Sequence, residues 1–391
     1  MKINIYPISS SLHDQNYIEE TTQDLINKIA KELNHQICLS SIDKLYDGDL
    51  SLILVQSGGS ENVFLKHYHE FKPPFYLLTF ATNNSLAASL EILSYIKNNH
   101  EEGEILHGSI DYLSKRISEL LSLKETNFGI IGKPSDWLIA SNVDYEMVKK
   151  IYHINLKDIS LSEVVSNYNL VDGKDLPHYF LDKFNFDELT KSERIYMALK
   201  QIAFKHNLSG LSIRCFDLLT SLKTTSCLAL AKLNQEGIMS SCEGDIPTLI
   251  SMEVVKRVTS SSSFQANPCQ IDIENKRMVF AHCTLPLDMV TSFKLDTHYE
   301  SKIGVAIKGE LEENKEITIF KISNNLKDYF VSRGRIIRNL NEKNLCRTQI
   351  EIEIDNPEYF LKHPFGNHHL IIYGNHVEAL RNYMERITKD E

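Results

Sequence analysis

Short apolar runs alternate with amphipathic stretches along residues 1–258, and this alternation constrains the fold more than any other feature. Strands that alternate with helices of about 10–15 residues form βαβ units, whose parallel sheets carry helices on both faces. In the first part of the chain the predicted strands are Lys2–Ile8, Leu50–Val55, Pro74–Phe80 and Glu104–His107, and the predicted helices are Tyr17–Leu33, Leu86–Ile96 and Ile110–Leu123. A second α/β region has predicted strands at Phe128–Gly132, Ile151–Leu156, Leu211–Arg214 and Gly237–Ser241.

Beyond the polar break Thr259–Ser263, alternating runs follow one another without helices between them. The predicted strands there are Arg277–Thr284, Ile303–Gly309, Glu316–Ile322, Arg347–Asp355 and Leu370–Tyr373. Successive strands with turn residues between them indicate an antiparallel barrel or sandwich. The predicted class is therefore α/β. Two Rossmann-like or flavodoxin-like domains, residues 1–125 and 126–262, precede a mostly antiparallel β-barrel-like domain, residues 263–391, that ends in a closing helix.

Composition excludes several classes of function. The formal net charge is −10 and Lys and Arg are not clustered, so a nucleic-acid surface is not expected. No apolar stretch reaches the length of a membrane span, and the first residues lack the apolar core of a signal peptide. Seven cysteines lie between Cys38 and Cys346 without CxxC spacing. This pattern predicts free thiols in a reducing cytoplasm and argues against a cysteine-based zinc site.

Two carboxylates follow the predicted strand Gly237–Ser241. Glu243 and Asp245 lie on the turn that leaves this strand, where open α/β sheets bind their ligands. Pro247 then begins an apolar-periodic helix, for which Asp245 is a suitable cap. The turn is therefore either a catalytic or binding site, or a structural turn with an exposed Glu243.

The turn after the first strand of the second α/β region carries the only tryptophan. Lys133, Ser135 and Asp136 precede Trp137, and an aromatic face beside polar donors suits a sugar, which has apolar C–H faces and a rim of hydroxyls. Alternatively, Trp137 packs in the core and Ser135 or Asp136 caps a helix. Arg214 ends another strand of the same sheet. The ends of three predicted strands, near Lys133, Arg214 and Glu243, thus bring polar groups to one edge of the sheet.

Histidines in the β region offer possible metal ligands. His282 lies on the same strand face as Met278 and Phe280, where a histidine is usually hydrogen-bonded in the core. His368 and His369 begin the last strand, and adjacent strand residues face opposite ways, so only one of them can face a given site. Structural and metal-binding roles both stay open on these residues alone.

In combination, several of these segments resemble the L-fucose isomerase and L-arabinose isomerase family of aldose–ketose isomerases. They occur in the family's order and are Gly132–Ser141, Cys242–Pro247, Ala281–Cys283 and Gly366–His369, with a weaker match at Asn83–Leu86. The resemblance implies two α/β domains followed by a β-barrel-like domain, assembled as a homotrimer or homohexamer. It also implies a site between domains that binds Mn²⁺, or another divalent ion such as Mg²⁺ or Co²⁺.

Carried over position by position, the resemblance implies roles for individual residues. The implied metal ligands are Glu243, Asn267 and His369, or His368 in its place, and His282 resembles a ligand of arabinose isomerases. The implied catalytic residues are Glu243, Asp245 and His282, and the substrate-binding residues are Lys133, Ser135, Asp136, Trp137, Arg214 and His368. Asn267 stands where the family has a second carboxylate. An amide oxygen can bind a hard cation, but it adds no negative charge.

The function implied is a divalent-metal-dependent aldose–ketose isomerase that acts on a monosaccharide through an ene-diol, with Glu243 as both ligand and base. The partner acid is unassigned, and Asp245 and His282 are the candidates. The alternative is a non-catalytic or weakly active sugar-binding protein that retains the isomerase fold. A phosphorylated substrate is not expected, because only Lys133 and Arg214 supply positive charge near the candidate site.

Overall fold

The computed structural model describes residues 2–389 except 13, 34–35, 44, 47, 49, 123–124, 175 and 182. The chain divides into two compact units, Met1–Lys124 and Glu125–Glu391. Both contain a parallel sheet and the second also contains a closed antiparallel barrel, which confirms a mixed α/β protein. Within the described ranges, no helix has both the length and the apolar character needed to cross a membrane. The boundary expected near residue 262 falls inside the second unit, and the three-domain division stays a prediction.

The first unit is built on a five-stranded parallel sheet. Its elements are β1 (Lys2–Ile8), α1 (Gln15–Glu32), β2 (Gln36–Leu39), β3 (Leu50–Val55), α2 (Glu61–His67), β4 (Phe75–Thr79), α3 (Ser85–Asn98), β5 (Gly103–Leu106) and α4 (Ile110–Ser122). The strand order is β2-β1-β3-β4-β5, which is that of flavodoxin-like sheets. One face is buried under α1 and α4, and the other under α2 and α3. The strands predicted at Lys2–Ile8 and Leu50–Val55 are confirmed.

The second unit begins with a four-stranded parallel sheet in the order β7-β6-β8-β9. Its elements are β6 (Thr126–Ile131), α5 (Tyr145–Tyr152), β7 (Ile154–Ile159), α6 (Leu161–Leu170), α7 (His178–Leu181), α8 (Phe186–Lys205), β8 (Gly210–Ile213), α9 (Asp217–Ser221), α10 (Cys227–Gln235), β9 (Met239–Cys242) and α11 (Ile246–Thr259). Residues of β9 and α11 are buried almost throughout.

The closed barrel has the strand order β10-β11-β16-β15-β14-β17, with antiparallel neighbours. The remaining elements are β10 (Phe264–Asp272), β11 (Arg277–His282), β12 (Ser292–Asp296), β13 (Ala306–Glu310), β14 (Glu316–Ile322), β15 (Tyr329–Asn339), β16 (Thr348–Ile354), α12 (Tyr359–Lys362), β17 (His369–Tyr373) and α13 (Val377–Lys389). β12 and β13 form a separate hairpin. Closure of the barrel removes exposed strand edges.

Three strands of the second sheet end level with one another. Ile131, Ile213 and Cys242 lie in register across β6, β8 and β9. The turns that follow these residues therefore meet at one edge of the sheet. From this edge α11 begins, and its Leu249 shares a buried apolar cluster with Phe320 of β14. The barrel wall consequently stands beside the strand ends.

Some predicted bounds are wrong. Ile151 was expected in a strand Ile151–Leu156, but it lies in α5, whose first turn is capped by the Asp144 side chain. β7 begins only at Ile154. Apolar residues continue from the helix into the strand, so periodicity does not reveal where one ends and the other begins. The elements β2, α2, β10, β12 and β15 lie outside the predicted set.

Candidate functional site

The turn after β9 has two successive residues in the left-handed conformation. Glu243 has a φ of 63° and Gly244 a φ of 77°. A Cβ at position 244 would lie 2.4 Å from the Lys133 carbonyl oxygen, so glycine is required there. The Ser135 backbone N–H donates to the Glu243 carbonyl oxygen over 2.9 Å. The turns after β6 and β9 are thereby joined, and the unusual backbone of Glu243 is of the kind that recurs at functional sites.

Asp245 is fully buried and has three partners. Its Oδ1 accepts from the Thr248 backbone N–H over 2.9 Å, which confirms that Asp245 caps α11. Lys321 Nζ lies 3.3 and 3.4 Å from the two carboxylate oxygens, and His368 Nδ1 lies 2.9 Å from Oδ2. Burial opposes ionisation, but Lys321 and His368 outweigh it and hold the pKa of Asp245 below its usual range. The contacts place Asp245 as a support for its neighbours, and its catalytic role stays a prediction.

His368 stands between the two carboxylates. While Nδ1 faces Asp245, Nε2 lies 3.6 Å from Glu243 Oε1, too far for a good hydrogen bond. Nε2 is buried and has no hydrogen-bond partner among the described residues. Burial lowers the pKa of His368, but Asp245 and Glu243 outweigh this effect and raise it to about 9. A carboxylate that holds one ring nitrogen is the usual arrangement of a metal-binding histidine, and an ion at Nε2 would displace the proton from that nitrogen.

His282 is the third member of a group with Glu243 and His368. Its ring packs edge-on against the His368 ring, with 5.3 Å between centroids, and its Nδ1 lies 2.9 Å from the Thr284 hydroxyl. Burial and then the charge of His368 lower the pKa of His282 to about 3, so the ring is neutral. One ligand-type atom from each of Glu243, His282 and His368 lies within 4.8 Å of the others. These three side chains can therefore hold one metal ion.

Trp137 contacts Glu243 from the turn after β6. Its Nε1–H donates to Glu243 Oε2 over 2.6 Å, and its ring meets Phe216 edge-on at 4.9 Å. Trp137 is 52% exposed, so it is not a core packing residue. Burial raises the pKa of Glu243, but His368 and Trp137 outweigh this effect and lower it to about 2. Glu243 is therefore ionised at neutral pH.

Asn267 faces the cavity that Glu243 and His282 also line. Its Oδ1 is buried and has no hydrogen-bond partner in the described part of the chain. The space in the cavity measures about 440 Å³, including the part open to solvent. One carboxylate and two imidazoles converge here, and an amide oxygen lines the same cavity; donors of these types suit a divalent ion such as Mn²⁺. The buried, unpartnered atoms of Asn267 and His368 fit a site that an ion completes.

The structure does not bring His369 to the carboxylates. Its Nε2 lies 3.1 Å from the Tyr359 hydroxyl and its Nδ1 lies 3.0 Å from the Asn367 carbonyl oxygen. Aromatic rings surround it, and burial lowers the pKa of His369 to about 3. Neighbouring strand residues face opposite sides, and here His368 is the one that converges with Glu243.

The other predicted substrate-binding residues lie at the rim of the strand ends. Arg214 donates to both carboxylate oxygens of Asp136 over 2.9 and 2.6 Å, and its Nε donates to Asp217 over 3.2 Å. The Ser135 hydroxyl is buried and has no partner within the described ranges. Lys133 is exposed. Arg214 and Asp136 thus form an ion pair in which each neutralises the charge of the other. Ser135 contacts the candidate site through its backbone N–H, which donates to the Glu243 carbonyl oxygen.

Three residues at the site were not anticipated from the sequence: Lys321, His298 and Glu300. Lys321 Nζ donates to the Thr248 hydroxyl over 2.6 Å in addition to its contact with Asp245. A lysine inside β14, whose residues are buried except at the first position, is a signal that could have found it. His298 and Glu300 line the cavity from the segment between β12 and β13, where periodic patterning offers no signal.

Comparison with known proteins points to sugar isomerases at low identity. No family model matches the chain. A sulfoquinovose isomerase of Alkalicoccus urumqiensis is 21% identical over 322 residues, which cover 77% of this chain and 72% of the relative. A sulfoquinovose isomerase of Priestia megaterium is 24% identical over 283 residues, 67% of this chain and 63% of the relative, so the match spans less than two-thirds of that relative. A crystal structure of CapF with the inhibitor 3-isopropenyl-tropolone aligns over 95% of each chain with 9% identity and a TM-score of 0.18, which carries no structural argument.

Proposed function

We propose that the protein is a divalent-metal-dependent aldose–ketose isomerase that acts on a monosaccharide through an ene-diol. The convergence of Glu243, His282 and His368 within 4.8 Å of one another carries this proposal. The relatives named sulfoquinovose isomerase support the same class of reaction. Their names make sulfoquinovose a substrate to test beside L-fucose and L-arabinose, which the resemblance in the sequence implies.

The metal ion would be bound by Glu243, His282 and His368, with the amide oxygen of Asn267 as a further donor. We take Mn²⁺ as the ion because mixed carboxylate and imidazole ligands suit it, and Mg²⁺ or Co²⁺ are alternatives. When bound, such an ion polarises the substrate carbonyl as a Lewis acid. Because Asn267 adds no charge, the affinity should be lower than at a site with two carboxylates.

Glu243 and Glu300 line the same cavity, and we infer that they share the proton transfers. Glu243 is ionised, whereas burial and the charge of Glu243 raise the pKa of Glu300 above its usual range. Glu243 would remove the proton from the carbon beside the carbonyl, while Glu300 protonates the carbonyl oxygen to give the ene-diol. Glu300 would then take the proton of the other hydroxyl, and Glu243 would return its proton to the former carbonyl carbon, which gives the ketose.

Asp245 and Trp137 act on the site through their hydrogen bonds. Asp245 holds His368 by Nδ1, so that Nε2 is the nitrogen left for the ion. Trp137 holds one oxygen of Glu243. Its ring is half exposed at the same turn, and an exposed aromatic face can stack on the C–H face of a sugar.

The test compares Glu243→Gln and Glu300→Gln with Glu274→Gln, an exposed control in the turn between β10 and β11. Purified full-length protein is stripped with a chelator, reloaded with Mn²⁺ and assayed for ketose formation from sulfoquinovose, L-fucose and L-arabinose. We expect Glu243→Gln to lose both Mn²⁺ and turnover. Glu300→Gln should keep Mn²⁺ but lose turnover by about 10²–10⁴-fold, and Glu274→Gln should match the wild type.

Three results would change the proposal. Wild-type protein that binds sugar without forming a ketose from any of the three aldoses would favour the sugar-binding alternative, to which the neutral Asn267 also points. Failure of the wild type to retain Mn²⁺ would overturn the metal site. Wild-type turnover in Glu300→Gln would overturn only the assignment of the acid.

The quaternary structure and location belong to the same proposal. A homotrimer or homohexamer in the cytoplasm is expected for the L-fucose and L-arabinose isomerase family that the chain resembles. Light scattering on the purified protein should give the mass of three or six chains, and a monomer would contradict this expectation. Fractionation of the source cells tests the location.

A further inference from the structure

A second cluster of metal-ligand side chains lines the same cavity and consists of Cys227, Cys283 and His298. One ligand-type atom from each lies within 4.8 Å of the others, and all three residues are buried. The Sγ atoms of Cys227 and Cys283 are 3.2 Å apart, although 56 positions separate these residues in the sequence. The cluster shares no residue with the group formed by Glu243, His282 and His368.

Each member of the cluster comes from a different part of the fold. Cys227 is the first residue of α10. Cys283 directly follows β11, and His298 follows β12. Ser301 contacts the Nδ1 atom of His298 twice: its hydroxyl lies 3.0 Å away, and its backbone N–H donates to Nδ1 over 3.4 Å. Nδ1 is thereby occupied, which leaves Nε2 as the nitrogen that could bind an ion.

Cys346 lines the same cavity but lies outside the group whose ligand atoms are within 4.8 Å of one another. Two cysteines and one histidine, with water in the fourth position, form a donor set known from zinc enzymes. The spacing in the sequence argued against such a site because no two cysteines are close in the chain. The fold nevertheless brings them together from separate elements.

The geometry is closer to a metal site than to a disulfide. Zinc–sulfur bonds of about 2.3 Å in a tetrahedral site place two sulfur atoms about 3.8 Å apart. The observed 3.2 Å would have to lengthen by about 0.6 Å, whereas a disulfide at about 2.05 Å requires a shortening of about 1.2 Å. We propose that Cys227, Cys283 and His298 bind a soft divalent ion, Zn²⁺, at a site that shares no residue with the one that contains Glu243. Thiols that bind as thiolates release their protons to solvent.

Cobalt substitution tests the proposal on the full-length protein. Co²⁺ added to the reduced, metal-free protein should produce the strong near-ultraviolet absorption of thiolate-to-cobalt charge transfer. Cys227→Ser and Cys283→Ser should each lose this absorption and bind Co²⁺ more than about 100-fold more weakly at this site. Cys215→Ser is the matched control, because Cys215 Sγ lies 3.0 Å from Cys242 Sγ in the same cavity but outside the cluster. Its absorption should equal that of the wild type.

The thiolate-to-cobalt absorption distinguishes the proposed zinc site from the proposed isomerase site. Glu243→Gln should keep the charge-transfer absorption even if it loses Mn²⁺ and turnover, since Glu243 offers no sulfur. Should a serine variant fail to fold, His298→Gln retains every thiol and is expected to weaken Co²⁺ binding in the same way. Three results would each overturn the zinc site: wild-type protein that binds Co²⁺ without this absorption, absorption that persists in Cys283→Ser, or a Cys227–Cys283 disulfide found by mass spectrometry in protein purified without added reductant.

Discussion

The buried ion pair between Lys321 and Asp245 allows a direct test of how the candidate site is held together. Lys321 Nζ lies 3.3 and 3.4 Å from the Asp245 oxygens, and the two side chains are 2% and 1% exposed. Lys321→Met keeps most of the side-chain length but removes the charge, so Asp245 loses one of its two compensating cations. Breaking a buried pair from one side costs about 3–5 kcal/mol, and we expect the free energy of unfolding to fall by that amount.

Lys315→Met is the matched control from the residue just before β14. Lys315 Nζ lies 3.0 Å from Glu312, about as close as in the buried pair, but these side chains are 42% and 55% exposed. Exposed pairs contribute at most about 1 kcal/mol, so this variant should unfold nearly as the wild type does. Urea denaturation followed by the fluorescence of Trp137, the only tryptophan, reports on the unit that contains the site. A loss in Lys321→Met no larger than that in Lys315→Met would refute the reasoning.

Lys321→Met should also weaken the binding of Mn²⁺ at the candidate site. Lys321 holds Asp245, and Asp245 holds His368 in the orientation that leaves Nε2 open. Supports of this kind change metal affinity by about 10–100-fold, so Mn²⁺ titration of Lys321→Met should give an affinity lower by at least about tenfold. Lys315→Met should bind Mn²⁺ as the wild type does. Equal affinities in both variants would show that the network does not position His368.

The remaining predictions concern single residues of the site. His368→Gln should abolish Mn²⁺ retention, whereas His369→Gln should keep the ion and lose about 1–3 kcal/mol of unfolding free energy through its buried hydrogen bonds. Equal Mn²⁺ loss in both would contradict their placement. Gly244→Ala puts a Cβ 2.4 Å from a backbone oxygen, so urea denaturation should show a loss above about 1 kcal/mol, and an unchanged midpoint would argue against the strained turn. Trp137→Phe removes the donor to Glu243 and should lower kcat/KM by about 10–150-fold, since a hydrogen bond to a charged group contributes about 1.5–3 kcal/mol; wild-type kinetics would count against this role.

Local chemistry made part of the fold predictable from the sequence. Lys2–Ile8 and Glu316–Ile322 are confirmed at the expected bounds because each is a short apolar run whose ends are marked by polar residues. The cap of α11 is likewise local, since Asp245 and the Thr248 backbone N–H are three residues apart. By contrast, β15 was not predicted. Arg333 and Arg335 lie on its exposed face, and these charged residues obscure the apolar residues of the face that is buried.

Long-range packing decides the rest of the site and is not readable from local patterns. The choice between His368 and His369 depends on where β17 begins, because a shift of one residue exchanges the two faces. Lys321 becomes part of the site only through contact with a turn 76 positions away. Cys227 and Cys283 illustrate the same limit, since spacing rules recognise cysteine ligands that are neighbours in the chain.

The end of β11 explains how one cavity could supply two chemically different sites. His282 is the last residue of the strand and Cys283 is the next, so the period of two in an extended chain sends their side chains in different directions. His282 turns to His368, while the Cys283 thiol meets Cys227. Carboxylate, amide and imidazole donors suit Mn²⁺, and thiolates suit Zn²⁺. The end of this strand would therefore supply His282 to the proposed Mn²⁺ site and Cys283 to the proposed Zn²⁺ site. The two ions would share no ligand.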